Sequence, residues 1–430
     1  MTLRVVCAPD SFKESMSAAV AARCLADGVL RVVPDAECVC LPMADGGEGT
    51  TEALIQGLGG VLVPVDCADA TGRVQRAAYG WVAQRGLAII EVAAACGLAQ
   101  VEASARNPLT ATSAGVGTLI RDALDHGALH LIVGLGGSET NDAGAGMITE
   151  LGARLLDGDG RQLARGGAAL ADLAEIDLTG LDPRLQGCLV QLACDVDNPL
   201  LGPSGASVVF GPQKGAGPTE VAQLDTALAR WAEVVERQLG RRVDDLPGSG
   251  AAGGLGASFF AFTPARMTPG VELVAEAVGL ADQIALADLV LTGEGRVDGQ
   301  THHGKTPWGV ATLAHGLGTP VIVFGGQVQV TDGPLAKIAL ALVPIANGPC
   351  SLPEALAAGP ANLTNATEMV LRLWTRAGTP AWPTDSLTGP SGATTGAGER
   401  NKNPAACAGS GVGDVFVGPG SRRVLTDPGR

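Results

Sequence analysis

The clearest pattern in the sequence is a repeated order of a short apolar run, a Gly- and Asp-rich loop and a helix-like stretch. Runs this short, rich in Val, Leu and Ile and flanked by Gly, Asp and Pro, predict buried strands. Strands that alternate with helices predict an α/β fold with mainly parallel sheets. The runs are Arg4–Ala8, Glu37–Leu41, His130–Leu135, Leu189–Cys194, Leu286–Thr292, Pro320–Phe324 and Leu340–Ile345.

The regularity of this pattern divides the chain. It is highest in residues 1–66 and 285–377, whereas residues 67–284 are less regular and contain the additional strand-like runs Leu87–Val92 and Ser207–Phe210. We therefore predict a discontinuous domain, residues 1–66 and 285–377, that is interrupted by an inserted α/β domain, residues 67–284.

The last part of the chain differs in composition. Residues 378–430 contain eleven Gly and six Pro and show no hydrophobic periodicity. A segment of this kind buries too little apolar surface to offset its conformational entropy. We predict a disordered tail here and assign it no function.

Composition and charge exclude several classes of protein. The net charge of −15 argues against non-specific nucleic-acid binding, which requires clustered Lys and Arg. No apolar run is long enough to span a membrane, and the start of the chain does not resemble a secretion signal. The ten cysteines form no CxxC pair and are expected to be reduced. We expect a cytoplasmic protein whose partners are small molecules, with a homodimer as an open possibility.

Several Gly-rich loops that also carry carboxylates or hydroxyls follow the predicted strands. In an open parallel sheet, ligands bind beyond the carboxyl ends of the strands. Glycine lets the backbone approach a ligand, and a helix that starts after the loop favours anions. Any one of these loops could be an ordinary turn, but five at one edge of a sheet favour a ligand site.

The lysines are few and unevenly placed. The chain contains only five, and Lys13, Lys214 and Lys305 all lie in Gly- or Pro-rich loops. A compact ammonium in such a loop suits binding of a phosphate or carboxylate. The alternative for each lysine is a chance position on the surface.

Two formal motifs point to other classes. Residues 299–306 match the P-loop pattern GxxxxGK[ST], but the apolar run before them ends near Thr292, too early for a P-loop that leaves its strand directly. Residues 248–253 match GxGxxG, but Asp-Asp-Leu-Pro precedes them in place of a strand. We interpret the first match as largely coincidental and the second as weak.

The loops, taken in order from about residue 1 to 377, resemble those of the glycerate kinase type-1 family. The matching segments are Ala8–Ser15 (APDSFKES), Pro42–Thr50 (PMADGGEGT), Gly134–Gly146 (GLGGSETNDAGAG), Cys194–Gly202 (CDVDNPLLG), Gly211–Ala216 (GPQKGA), Gly248–Gly256, Thr292–Asp298 (TGEGRVD) and His303–Lys305. The resemblance implies a flavodoxin-like domain split by an inserted α/β domain, with the active site between them. It also implies ATP, Mg²⁺ and D-glycerate, with 2-phosphoglycerate favoured over 3-phosphoglycerate as product. The residues Gly325–Val328 and the tail after Arg376 depart from the family pattern.

Phosphoryl transfer requires a metal ion, donors for the phosphates and a carboxylate that accepts the acceptor's proton. We expect Asp195 as the base and Lys13 as the second catalytic residue. The predicted substrate-binding residues are Asp10, Ser11, Asp45, Ser138, Thr140 and Asn141, with Lys13 as well proposed for the glycerate carboxylate. The predicted nucleotide-binding residues are Lys214, Gly250, Gly253, Gly254 and Lys305, and the predicted metal ligands are Asp197, Glu294 and Asp298.

Alternative functions remain at this stage. A P-loop ATPase would depend on Lys305 and Thr306, a nicotinamide-dependent dehydrogenase on residues 248–253, and a sugar-acid-binding protein would bind its ligand without ATP turnover. ATP consumption with and without D-glycerate distinguishes these classes.

Overall fold

The structure is a computed structural model that describes residues 2–299, 301, 304–329 and 332–377. The disorder predicted for residues 378–430 lies outside the described residues. The strands are β1 (Arg4–Cys7), β2 (Glu37–Cys40), β3 (Val61–Ala68), β4 (Val74–Val82), β5 (Leu87–Glu91), β6 (His130–Gly134), β7 (Arg154–Leu156), β8 (Glu175–Asp177), β9 (Leu189–Ala193), β10 (Arg266–Thr268), β11 (Leu289–Val297), β12 (Val321–Val328) and β13 (Ala341–Pro344). The helices are α1 (Ala18–Leu30), α2 (Thr50–Leu58), α3 (Val92–Cys96), α4 (Ala114–Asp125), α5 (Ala145–Glu150), α6 (Ala206–Phe210), α7 (Pro218–Leu239), α8 (Ala251–Phe262), α9 (Gly270–Ala277), α10 (Leu280–Ala285), α11 (Thr306–Gly316), α12 (Pro334–Ile338) and α13 (Leu352–Ala377).

The first sheet has five parallel strands in the order β13-β12-β11-β1-β2. Counted within this sheet alone, the order is the flavodoxin-like 2-1-3-4-5, as the sequence predicted. Its strand order reverses between β1 and β11, where Cys7 is in register with Leu291. Ligands in such sheets bind at this reversal, beyond the carboxyl ends of the strands.

The second sheet has six strands in the order β10-β9-β6-β5-β4-β3. The strands from β10 to β5 are parallel, and β4 and β3 add an antiparallel edge. Strands β7 and β8 form a separate antiparallel pair.

Helix ends follow the local sequence. The hydroxyl of Ser17 accepts a hydrogen bond from the backbone N–H of Val20 and caps α1. Helix α1 packs closely on α13. The closeness is seen at Gly28, where an added Cβ would lie 2.5 Å from the Cβ of Thr367. Helix α11 begins at Thr306 and has Pro307 in its first turn, where proline is tolerated.

One apolar cluster contains residues of both large sheets. Val6 and Val290 of the five-stranded sheet share it with Ile89 and Ile132 of the six-stranded sheet, and Leu54 of α2 lies in the same cluster. All described residues fall in one compact unit. The division into residues 1–66 with 285–377 and residues 67–284 therefore stays a prediction. The strands of the two sheets follow these segments except for β3 (Val61–Ala68), which belongs to the six-stranded sheet but begins within residues 1–66.

The prediction of a strand at Ser207–Phe210 is wrong, because these residues belong to helix α6. Val208 and Val209 are both exposed, so the apolar run is not a buried strand. Ser207 is buried instead, and its hydroxyl accepts a hydrogen bond from the side-chain amide of Asn141. Among the described helices, none is long and apolar enough to cross a lipid bilayer.

Candidate active site

Two adjoining cavities lie at the carboxyl ends of the strands. The larger has a volume of about 770 Å³ and the smaller about 250 Å³, and Asp45, Gly47 and Gly137 line both. Since Asp45 follows β2 and Gly137 follows β6, loops of both large sheets meet here. This is the edge at which the sequence predicted a ligand site.

The larger cavity combines charged and apolar walls. Lys13, Arg296 and Lys305 provide positive charge, and the carboxylates are those of Asp10, Glu14, Asp45, Glu48 and Glu294. At the other side, the lining is apolar and comes from the end of β13 and the first half of α13, as Ile345, Ala346, Leu352, Ala355 and Leu356. A cavity of this kind can accept a ligand with an anionic part and a flat apolar part.

Asp10 is held in place directly after β1. One carboxylate oxygen accepts a hydrogen bond of 2.6 Å from the hydroxyl of Thr306, and the other accepts one of 2.6 Å from the backbone N–H of Ser11. Burial, together with the neighbouring Asp45, raises the pKa of Asp10 to about 6. The group is therefore close to its titration range at neutral pH.

Glu294, Asp298 and Lys305 form an ionic cluster around the end of β11. The ammonium of Lys305 lies 3.6 Å from a carboxylate oxygen of Glu294 and 3.9 Å from one of Asp298. The other Glu294 oxygen accepts a hydrogen bond from the hydroxyl of Thr301. Burial raises the pKa of Glu294 to about 7, and the nearby carboxylate of Asp10 acts in the same direction.

Asp195 follows β9 and lines the smaller cavity with Asp45 and Ser138. One of its oxygens accepts a hydrogen bond of 3.0 Å from the backbone N–H of Gly270. Its side chain is exposed, yet the surrounding protein and the charges of Asp45 and Glu272 raise its pKa to about 6. A carboxylate with these properties is suited to accept a proton near neutral pH.

Lys214 also lines the smaller cavity but is almost fully buried. Its ammonium donates hydrogen bonds of 2.6 Å to the backbone carbonyl of Thr140 and 3.1 Å to the hydroxyl of Ser138. Burial lowers the pKa of Lys214 to about 8, and the nearby carboxylates of Glu139 and Asp142 oppose this shift. The structure thus places Lys214 with Ser138 and Thr140, at a different part of the cleft from Lys305.

Several predicted site residues line neither cavity. Asn141 is buried and donates a hydrogen bond to Ser207, and Asp197 is exposed two residues beyond Asp195. The hydroxyl of Thr140 is buried and has no hydrogen-bond partner among the described residues. Asp298 lies at the margin, where it pairs with Lys305 and with the guanidinium of Arg296 at 3.2 Å.

The predicted glycine cradle, Gly250, Gly253 and Gly254, packs against the loop after β6. Gly253 and Gly254 have φ values of +68° and +91°, and a Cβ on Gly253 would lie 1.9 Å from the carbonyl oxygen of Thr140. A Cβ on Gly250 would lie 2.2 Å from the carbonyl oxygen of Pro199. These glycines permit close packing of two loops, and their neighbours Ala251 and Ala252 form part of the cavity wall.

The carboxylates of the larger cavity fit a divalent cation. Mg²⁺ is usually held by one or two carboxylates together with substrate phosphates, and Asp10 and Glu294 face the cavity as such a pair. Burial raises both pKa values, and a neighbouring carboxylate adds to each shift, Asp45 for Asp10 and Asp10 for Glu294, which indicates negative charge that a cation would balance. Across the described residues, no group of three or more His, Cys, Asp or Glu is placed to hold a metal ion.

Sequence reasoning missed six polar residues of the larger cavity, namely Glu14, Ser15, Glu48, Arg296, Gln327 and Asn362. Arg296 and Glu48 lie inside segments that carry the family resemblance, so the signal was present. Asn362 lies in the middle of α13, far from any motif, and only the fold brings it to the site.

The structure clarifies both formal motifs. Strand β11 continues to Val297, so the loop that contains Lys305 follows its strand more directly than the apolar pattern indicated. The hydroxyl of Thr306 binds Asp10. Residues 248–253 follow no strand and form the turn and kinked start of α8, which does not fit a dinucleotide-binding fingerprint.

A parallel sheet of flavodoxin-like order, with a cleft lined by carboxylates and lysines at its strand reversal, defines an α/β enzyme that acts on small anionic ligands. Comparison with known proteins makes the class specific. The sequence model of the Glycerate kinase family matches residues 5–375. The chain belongs to this family and is a kinase, for which ATP is the expected co-substrate.

Individual relatives agree with this assignment. The chain is 48% identical to a glycerate kinase of Halalkalibacterium halodurans over 75% of its own length and 85% of that protein's. It is 46% identical to the glycerate 2-kinase of Escherichia coli K12 over 76% and 86% of the two lengths. A crystal structure from Salmonella typhimurium LT2, provisionally named glycerate kinase 2, superposes with a TM-score of 0.82 at 45% identity and covers 88% of this chain and 99% of that one.

Proposed function

We propose that this kinase transfers the γ-phosphoryl group of ATP, as its Mg²⁺ complex, to the C2 hydroxyl of D-glycerate. The observation that carries the proposal is a pair of cavities of unequal size that share Asp45. One is lined by cations, carboxylates and an apolar wall, and the other by Asp195. The relatives named as glycerate kinases supply the substrate, and the glycerate 2-kinase of E. coli favours the C2 hydroxyl.

ATP is assigned to the larger cavity. Its volume of about 770 Å³ is within the usual range for ligand pockets, roughly 300–1,000 Å³. The apolar wall of α13 suits an adenine ring, and Lys13, Arg296 and Lys305 suit the phosphates. This assignment moves Lys13 from the glycerate carboxylate, where the sequence put it, to the nucleotide.

Glycerate is assigned to the smaller cavity of about 250 Å³, beside Asp195, Ser138 and Lys214. The buried ammonium of Lys214 orients the hydroxyl of Ser138 and supplies positive charge near a substrate carboxylate. Lys214 thus moves in the opposite direction, from the nucleotide to the acceptor.

Asp195 is proposed to take the proton of the attacking hydroxyl. Its pKa of about 6 leaves it ionised at pH 7 and still basic enough to accept a proton as the bond to phosphorus forms. Lys305 and Arg296 neutralise charge on the transferred group. When bound, Mg²⁺ held by Asp10 and Glu294 would neutralise the phosphate oxygens.

The test measures ATP consumption with D-glycerate present or absent, in Mg²⁺ and in EDTA. We expect turnover only when glycerate and Mg²⁺ are both present. Turnover that is independent of glycerate would support a P-loop ATPase, and glycerate binding without turnover would support a non-catalytic sugar-acid-binding protein.

The phosphorus NMR spectrum of the product identifies the hydroxyl that is phosphorylated. A base fixed at Asp195 reaches only one of the two hydroxyls, so a single product is expected. Phosphorus bonded through O2 couples to one proton and gives a doublet. A triplet from a CH₂ group would mean 3-phosphoglycerate and would contradict the placement of the glycerate carboxylate.

A further inference from the structure

Two cysteines lie side by side just before the active-site loops. Cys7 of β1 and Cys40 of β2 are in register in neighbouring parallel strands, whose spacing of about 4.8 Å is within the Cα separation found in disulfides. Residues paired in this way point to the same face of a sheet. All nine cysteines in the described residues are free thiols.

The two thiols differ in their surroundings. Cys7 is fully buried in the apolar cluster beneath α1, whereas Cys40 is exposed at the edge strand. A hydrogen bond from Cys7 lowers the pKa of Cys40 to about 7, and Arg23 acts in the same direction against burial and Asp27. The pKa of Cys7 is raised well above its usual value, since its proton is shared with Cys40 and its site is buried.

The reactive and the protected thiol are therefore adjacent. A thiolate that is accessible reacts with oxidants, and a neighbouring second thiol determines what the first product becomes. Cys38 lies two residues before Cys40 on the same strand, but its partner across the sheet is Val5. Only the Cys7–Cys40 pair has both properties among these three thiols.

We propose that Cys40 and Cys7 form an oxidation site for hydroperoxides, with Cys40 as the attacking thiol and Cys7 as the resolving thiol. The Cys40 sulfur attacks the outer peroxide oxygen, the O–O bond breaks, and the remaining oxygen leaves with a proton as water or an alcohol. The Cys7 sulfur then attacks the sulfenic acid of Cys40, the S–O bond breaks, and hydroxide leaves with the Cys7 proton as water. The two thiols lose two electrons, and the hydroperoxide gains them.

The disulfide would act on the kinase site. Beyond the thiols, the strands stay joined by hydrogen bonds from Leu41 to Cys7 and from Met43 to Pro9. Asp10 lies one residue after Pro9 and Asp45 two residues after Met43, and both line the larger cavity. Disulfides require Cβ atoms about 3.8 Å apart, closer than strands of one parallel sheet normally bring them. Bond closure therefore displaces the strand ends, and displacement of a site by about 1 Å can lower a rate ~100-fold.

The experiment treats the full-length protein with hydrogen peroxide and follows three quantities. We expect a peptide pair cross-linked through Cys7 and Cys40 by mass spectrometry and a loss of two titratable thiols per chain. We also expect glycerate-dependent ATP turnover to fall at least tenfold and to recover with dithiothreitol. The cross-link is measured without activity, so its result is independent of the proposed function.

Three variants test the assignment. Cys38→Ser, from the same strand and face, should keep the cross-link, and Cys40→Ser should lose it without loss of basal turnover. Cys7→Val, which preserves an apolar side chain in the buried position, should leave a sulfenic acid at Cys40 that dimedone traps. The site would be disproved by the absence of a Cys7–Cys40 peptide in the oxidised wild-type protein. Equal loss of turnover in oxidised Cys40→Ser would overturn the link to the kinase site, because another thiol, such as Cys194 of the smaller cavity, would then be responsible.

Discussion

The two lysines predicted to bind ATP lie in contrasting regions of the cleft. Lys305, after β11, keeps 32% of its side chain exposed and pairs with the carboxylates of Glu294 and Asp298 at 3.6 and 3.9 Å. Lys214 is 1% exposed, and its ammonium donates hydrogen bonds to the loop after β6. Loops of similar composition can thus present charge to a ligand or hold their own backbone, and the environment decides which.

The largest expected effect is that of Asp195→Asn, which should lower kcat at least a hundredfold with little change in substrate binding. A general base typically contributes ~10²–10⁴-fold, and asparagine cannot accept the proton. Asp197→Asn is the matched control, since Asp197 is exposed and lines neither cavity, and its kcat should stay close to wild type. In the wild type, kcat/KM should fall as the pH drops below about 6, because Asp195 is then protonated. Normal kcat in Asp195→Asn would exclude it as the base.

The second prediction compares the two lysines: removal of Lys305 should weaken ATP binding, and removal of Lys214 should lower the stability of the protein. Lys305→Ala should raise the KM for ATP about tenfold and leave the melting temperature nearly unchanged, since a charge-assisted hydrogen bond contributes roughly 1.5–3 kcal/mol. Lys214→Met should lower the free energy of unfolding by about 3 kcal/mol, because Glu139 and Asp142 lose a buried positive charge. Steady-state kinetics and urea unfolding measure the two quantities. A destabilised Lys305→Ala with a stable Lys214→Met would reverse the comparison.

The smallest effect concerns Glu139, whose two buried oxygens have no hydrogen-bond partner in the described structure. Burial raises its pKa to about 7, so ionisation costs folding free energy above pH 7 and not below about pH 4.5. Glu139→Gln should therefore stabilise the protein by about 1–2 kcal/mol at pH 8 and by less at pH 5. Arg106, 3.9 Å away, keeps three backbone carbonyl acceptors in the variant. Equal effects at the two pH values would show that charge burial is not the cause.

Much of the fold could be predicted because its buried parallel strands are short apolar runs with loops of distinctive composition. All seven runs of the regular pattern are strands in the structure. Strands β3 and β4 were not predicted from the sequence, because they form the antiparallel edge, where exposed and partly buried residues interrupt the apolar pattern. At Ser207–Phe210, by contrast, the β-branched residues indicated a strand. These residues form a helix instead, and Ser207 on that helix contacts Asn141.

The loops that form the site could be predicted from the sequence, but the role of each residue in the site could not. Asp10, Asp45, Asp195 and Lys305 line the cleft because each directly follows a strand or precedes a helix at one edge. The burial of Lys214 depends on residues near positions 96 and 138–142, which no local pattern connects to it. The requirement for glycine at Gly253 likewise comes from Thr140, more than a hundred positions away.

The position of β1 between β2 and β11 also has a consequence for synthesis of the chain. The backbone N–H of Arg4 binds the carboxylate of Asp288, 284 positions later. A ribosome adds about 5–20 residues per second, so β1 waits roughly 15–60 seconds for its second neighbour. During that interval, the Val5–Cys7 edge is an open template for other extended chains. Aggregation of nascent protein should therefore be sensitive to the rate of translation through the middle of the gene.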